Sequence, residues 1–96
     1  MLSTKTIADY TTAIRLDPDN AIAYNNRGSA YLYLGEYNSA IADFTTAIRL
    51  DPENAEAYYA RGVAKENAGL PYCSDCQRAC ELGEKRSCEW YNDQCR

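Results

Sequence analysis

The chain contains no histidine. That removes the usual general base for a catalytic cysteine, and the nitrogen ligand most often found at zinc. Cationic residues are also scarce. Ten Lys and Arg stand against fourteen Asp and Glu, for a formal net charge of −4. Phosphate backbones are bound by clustered Lys and Arg, so no nucleic acid partner is expected. No apolar run approaches the roughly 18 residues of a membrane span, which argues against a membrane segment. Residues 1–6 lack the apolar centre of a signal peptide. If Met1 is the natural start, a soluble cytoplasmic protein is expected. If the sequence is an excised fragment and its cysteines are paired, an extracytoplasmic setting follows instead. Cysteine is missing from the first seventy-two residues, and all five cysteines lie between 73 and 95. Ninety-six residues make one domain, which buries about 60–65% of the surface its unfolded chain exposes.

What is present is a repeat. Residues 7–30 reappear 34 positions later as residues 41–64, with 18 of the 24 pairs identical. Ile7-Ala8-Asp9 matches Ile41-Ala42-Asp43, and Thr11 to Pro18 matches Thr45 to Pro52 without a change. A period of this length marks a supersecondary unit that cannot bury its apolar face alone, so neighbours must stack. The one complete copy, residues 21–54, carries Tyr24, Gly28, Tyr31, Ala40, Phe44, Ala47 and Pro52 at telling intervals. On these residues the stretch resembles the tetratricopeptide repeat, a helix–turn–helix unit of about 34 residues. Arg27 departs from the leucine usual before the glycine. The resemblance covers roughly residues 3–83. It implies an all-α helical solenoid that acts as a binding scaffold, not an enzyme, and it does not name the partner.

Read in order, residues 3–16 form a helix, by position the second of a repeat. Residues 21–34 and 37–50 form the complete repeat, with Gly35 as C-cap between them. Pro18 and Pro52 follow Leu-Asp pairs, where one helix stops and the next begins. Gly28 and Ala40 are the small pair expected to let the helices of this repeat approach closely. Residues 55–83 form a shortened repeat. Asp75, Ala79 and Leu82 align with Asp43, Ala47 and Leu50 at an offset of 32, so the connection near Gly69-Leu70-Pro71 is two residues shorter. Pro71 is expected in the first turn of the next helix, and Gly83 at its end. Residues 84–96 supply a C-terminal capping helix. The expectation is an all-α solenoid of about two and a half repeats plus that cap.

At 100° per residue, Tyr24, Arg27, Gly28 and Tyr31 share the packing face of their helix. Ile22, Asn26, Ser29 and Tyr33 share the opposite face, with Asn25 at its edge. The 34-residue offset extends this face through Glu56, Tyr59, Ala60, Val63 and Asn67. It has no Lys or Arg, so the basic clamp by which relatives hold a chaperone C-terminal carboxylate is not expected. The peptide-binding residues are taken to be Asn25, Asn26, Ser29, Tyr33, Glu56, Tyr59 and Val63. Arg27 and Arg61 stand on the packing face, where a cation needs a partner. Arg27 is expected to pair with Asp9 or Asp43, and Arg61 with Asp43 or Asp75. A structural module serving oligomerisation is the rival reading. No cofactor is called for.

Cys73, Cys76 and Cys80 share one helix face, and Cys88 and Cys95 another. In an antiparallel pair, residues at one height have equal index sums. That levels Cys80 with Cys88 and Cys73 with Cys95, and leaves Cys76 over. Three readings stand: two disulfides in that pairing, thiols packing at a close helix contact, or a zinc site of four thiolates. The interval from Cys80 to Cys88 also resembles the bridged hairpins of Sel1-like repeats. Cys76 aligns with Phe44 and so takes the place of a core aromatic. Trp90 can be placed in two registers. The 32-residue offset puts it opposite Tyr58, inside the packing. The stripe Cys88, Tyr91, Cys95 turns it away, partly exposed near the end of the face and able to touch a ligand. We adopt the second. At the N-terminal end, Ser3 and Thr6 replace Tyr37 and Ala40 of the repeat, while Tyr10 and Ala13 are expected to be covered already. The apolar patch left there is then small, and the protein a monomer, with any dimer weak and built through residues 3–16.

Overall fold

A computed structural model describes residues 4–96, with side chains from Lys5 onward. It contains six helices: α1 (Thr4–Leu16), α2 (Ala21–Tyr33), α3 (Tyr37–Leu50), α4 (Ala55–Asn67), α5 (Cys73–Glu81) and α6 (Lys85–Gln94). No strand occurs among the described residues. Each helix packs chiefly on its neighbours in sequence, and the stack measures 41 × 24 × 20 Å. Ser3, and with it the first residue of the expected helix 3–16, lies outside the described residues.

Two kinds of turn alternate, and each is written in the sequence. The turns after α2, α4 and α5 are glycine turns. Gly35, Gly69 and Gly83 have φ of 80°, 76° and 104°, the left-handed region open to glycine without steric penalty. After α2, the Glu36 N–H reaches the Tyr31 carbonyl (2.9 Å) and the Gly35 N–H that of Leu32 (3.1 Å). These two bonds satisfy carbonyls that a helix end otherwise leaves open. The turns after α1 and α3 are Asp-Pro turns. The Asp17 carboxylate accepts from the Asp19 N–H (3.2 Å), and Asp51 does the same for Glu53 (3.3 Å). Asn20 and Asn54 then cap the next helix, each side chain accepting from the N–H three residues on at 3.1 Å. Pro71 does not open α5. The Leu70 N–H closes on the Lys65 carbonyl (2.8 Å), and α5 begins two residues beyond the proline, at Cys73.

The core is built from small residues and one large ring. Ala40, Phe44 and Ala64 form a fully buried cluster, with Tyr31, Leu32, Ile41 and Ala60 packed against it. Ala60 therefore belongs to the packing and not to the outer face. The space above Gly28 is filled by Phe44, not left for a close approach of Ala40. A Cβ at Gly28 would lie 2.9 Å from the Phe44 ring. At the equivalent glycine the ring comes from elsewhere. Cys76 is buried where Phe44 would recur, and Trp90 of α6 covers Gly62, 3.3 Å from a Cβ placed there.

The two arginines of the packing face hold three helices each. Arg27 of α2 donates through Nε and Nη2 to both oxygens of Asp43 on α3, at 2.7 Å each, and through Nη1 to Thr11 of α1 at 3.1 Å. Arg61 of α4 repeats this with Asp75 (2.9 and 2.7 Å) and Thr45 (3.2 Å). Of the alternatives open in the sequence, both arginines take the acid of the helix that follows. Asp9 is exposed and takes neither. The guanidinium of Arg27 also lies near the faces of Tyr24 and Tyr31, at 5.9 and 5.8 Å. Its pKa is raised, chiefly by the hydrogen bond from Asp43. On α1 the match to the repeat is only partial. Tyr10 and Ala13 are half-buried, where Phe44 and Ala47 are fully buried. The expectation that α2 already covers them is corrected, because packing against α2 shields one side of α1 only.

Two outcomes follow for equilibrium unfolding in urea. Arg27→Leu leaves buried Asp43 without a cation and should cost about 2–4 kcal/mol, below the fully buried limit because the arginine is partly solvated. Arg61→Leu should cost less, because Lys65 also reaches Asp75 at 3.1 Å. Equal losses would mean that Lys65 does not compensate. Gly28→Ala should destabilise by about 1–2 kcal/mol, the overpacking against Phe44 exceeding the helix-propensity gain of about 1 kcal/mol. Gly62→Ala should lie within about 0.5 kcal/mol of neutral, since its neighbour is the far edge of the Trp90 side chain.

Candidate functional site: an outer helix face with an aromatic end

Ile22, Asn26, Ser29 and Tyr33 recur along one side of α2, opposite the residues that pack. Ile22 and Tyr33 are 72% and 71% exposed, unusual for side chains of that size. Asn26 and Ser29 between them are half-buried. Asn25 is different. Its Oδ1 is shielded from solvent and has no hydrogen-bond partner among the described residues, so that oxygen is not offered outward. On α4, Glu56 is exposed, Tyr59 and Val63 are half-buried, and the Asn67 amide donates to the Val63 carbonyl at 2.8 Å.

The α6 end of this face is aromatic. Trp90 stacks on Tyr72 with ring centroids 4.9 Å apart and meets the edge of Tyr59 at 5.8 Å. Arg86 lies over the other ring, 4.4 Å from the Tyr59 centroid. Glu84 fixes Arg86 by accepting from its Nε (3.0 Å) and Nη2 (2.9 Å). The pair raises the arginine's pKa and lowers that of Glu84, in both cases first through this hydrogen bonding. The expectation that the face holds no Lys or Arg is thus corrected by Arg86. It was missed because α6 starts two residues earlier than the 32-residue offset implies. Glu84 caps α6 thirty residues after Asn54 caps α4. In that register Ser87 falls on the buried sites of Ala23 and Ala57, and its hydroxyl donates to the Cys76 carbonyl at 2.8 Å. Trp90 falls on the site of Ala60. It is neither opposite Tyr58 nor a free contact; it is half-buried, with its ring held by Tyr72, Tyr59 and Gly62.

Two disulfides pin α6 to α5. Cys73 joins Cys95 (S–S 2.08 Å) and Cys80 joins Cys88 (1.96 Å), while Cys76 stays free and buried. This removes the four thiolates that a zinc site would need. Burial pushes the Cys76 thiol up to about 11, so thiolate is scarce at neutral pH and the residue is a poor nucleophile.

Stacked antiparallel helix pairs, sequential packing and an outer face with exposed apolar side chains define a helical-repeat scaffold. The comparisons with known proteins narrow this further. A family model described as TPR repeat matches residues 4–35 and 28–69, and the chain belongs to the tetratricopeptide-repeat family. An Arabidopsis OM64 TPR domain is 32% identical, with 91% of this chain and 75% of that one covered and a TM-score of 0.84. The second TPR domain of human RPAP3, solved in complex with the HSP70 peptide SGPTIEEVD, is also 32% identical, with 91% and 76% covered and a TM-score of 0.83. The TPR2B domain of yeast Sti1, solved as a complex with an Hsp70 peptide, is 26% identical, with 90% and 77% covered and a TM-score of 0.78. A search of curated proteins found no match. The family model stops at residue 69, so the likeness of the cysteine hairpin to Sel1-like repeats finds no support there.

Reduction tests the pinning of α6. Chain-entropy arithmetic gives about 2.5 kcal/mol for the Cys80–Cys88 loop and about 3.4 kcal/mol for the Cys73–Cys95 loop. Cys73→Ser with Cys95→Ser should therefore lower stability by about 2–4 kcal/mol and shift Trp90 emission to the red, as its ring leaves Tyr72. Emission unchanged by loss of the bridge would show that aromatic packing alone holds α6.

Proposed function

We propose that the face formed by Asn26, Ser29 and Tyr33 of α2 and by Glu56, Tyr59 and Val63 of α4 is a short groove that binds an extended peptide or protein segment. Asn25 stands at its edge and Trp90 supports its far end. No chemistry is performed on the ligand. The observation that carries this reading is Tyr33. A rigid aromatic side chain is 71% exposed beside Ile22, equally bare, in a fold whose relatives are solved with peptides bound. Aromatic side chains give large contact area at small entropic cost, and neighbouring amides and hydroxyls can meet a peptide backbone. The two disulfides favour an oxidising compartment as the setting.

The charges favour a different ligand from those in the relatives' complexes. Glu56 is exposed on the face, and Arg86 is already held by Glu84. An acidic C-terminal peptide would meet one repelling carboxylate and no free cation. The groove therefore suits a segment whose anchors are apolar and whose charge is neutral or positive.

A peptide array, followed by NMR titration of the oxidised protein, tests both statements. Peptides with apolar anchors should perturb Tyr33, Asn26 and Tyr59, and Tyr33→Ala should weaken them about tenfold or more. SGPTIEEVD should bind at least about tenfold more weakly than the best of them. Preferential binding of the acidic peptide would reverse the ligand assignment. Perturbations confined to other faces would remove the groove.

A further inference from the structure

The three helices α1, α3 and α5 present the same positions, but only two of them are covered. Asp43 and Asp75 are 5% and 3% exposed, and each is gripped by two nitrogens of an arginine from the helix before. Asp9, at the matching place on α1, is exposed and forms no ion pair among the described residues. Phe44 and Cys76 are fully buried, and Tyr10 is not. Ala47 and Ala79 are fully buried, and Ala13 is not. Leu16 is 77% exposed, while its counterparts Leu50 and Leu82 are half-buried. One side of α1 is therefore a mould of the surface that α2 and α4 cover on α3 and α5.

We propose that this side of α1 docks an amphipathic helix of a partner protein, antiparallel to α1, that carries an aromatic residue, two spacers, an arginine and a glycine in succession. Each element of that description is set by the covered copies. The arginine answers Asp9, as Arg27 answers Asp43. The glycine answers Tyr10, because a Cβ at Gly28 would stand 2.9 Å from the Phe44 ring. The aromatic residue lies three positions before the arginine, as Tyr24 and Tyr58 do, with the guanidinium 5.9 and 5.6 Å from their rings.

A second copy of this chain cannot supply such a helix without loss. Its two Tyr-x-x-Arg-Gly helices, α2 and α4, already commit their arginines to Asp43 and Asp75. Moving either to Asp9 of another molecule would strand a buried carboxylate. In the register of its N-cap, α6 has Tyr91 and Asn92 at the places of Arg61 and Gly62, and so offers neither the charge nor the space. Charge and fit therefore assign the face to a different chain. The docking is independent of the groove on the opposite side of α2.

The probe is a fluorescein-labelled peptide copying residues 20–36, stapled as a helix so that the cost of ordering it does not mask binding. Anisotropy is read against the full oxidised chain. Saturable binding is expected, weakened about tenfold or more by Asp9→Asn in the protein. Arg27→Leu in the peptide should cause the same loss, and the two changes together no further loss. Asp9 is exposed, so its variant should keep the circular dichroism of the parent. Tyr33→Ala, in the groove, should leave this binding unchanged. Absence of saturable binding by the stapled peptide would overturn the proposal, as would binding indifferent to Asp9→Asn or dependent on Tyr33. Tight self-association through α1 in sedimentation equilibrium would also overturn it, by making a second copy the occupant.

Discussion

The stack depends on a cation placed where its family usually keeps leucine. Arg27 and Arg61 stand on packing faces, and each can be there only because one carboxylate, one threonine hydroxyl and flanking tyrosine rings meet its donors. A buried ion pair is weak evidence of net stability, since desolvation offsets most of the attraction. Its contribution here is geometric. A planar guanidinium bonded to both oxygens of one carboxylate has one good orientation. The third bond, to a threonine on the preceding helix, carries that orientation across the repeat boundary. Leucine would fill the space without linking three helices at fixed angles.

The second half of the stack solves the same packing problem with fewer residues. α5 has nine residues where α3 has fourteen, and the aromatic ring of α3 is replaced by Cys76. The ring that Gly62 needs comes from α6 as Trp90. An aromatic borrowed from the next helix is useful only if that helix is held in place, and α6 is short and polar. Two disulfides hold it, and Ser87 seals the contact by giving its hydroxyl to a buried carbonyl. The covalent links and the tryptophan are thus one device, and both ends of the outer face depend on it.

Composition and stack agree on what kind of surface remains. With little positive charge and one arginine neutralised by its own cap, the outer face offers apolar and amide groups. The open side of α1 offers a carboxylate and half-covered apolar residues. These are two surfaces of different chemistry on opposite sides of a small scaffold, a division that a protein joining two partners would need.

Much of this was legible in the sequence because it is local. The period of 34, the glycine turns, the Asp-Pro-x-Asn turns and the arginine–aspartate candidates follow from residue spacing, and equal index sums along an antiparallel hairpin identify which cysteines are level. Periodicity also separates Tyr33 from Tyr31, since the two project from different sides of one helix. What it could not supply is whatever depends on the exact height of one helix against another. The choice between Asp9 and Asp43 for Arg27 was even in sequence and is decided by which acid lies within reach of both guanidinium nitrogens. The start of α6 slipped by two residues, and with it went Arg86, Ser87 and the placing of Trp90. A shift of two residues turns a helix by about 200°, so a small error along the chain becomes a change of face. Repeat spacing by itself determined the fold and its turns; only tertiary packing decided which side chains share a surface, because it alone sets the relative height and rotation of helices joined by loops of unequal length.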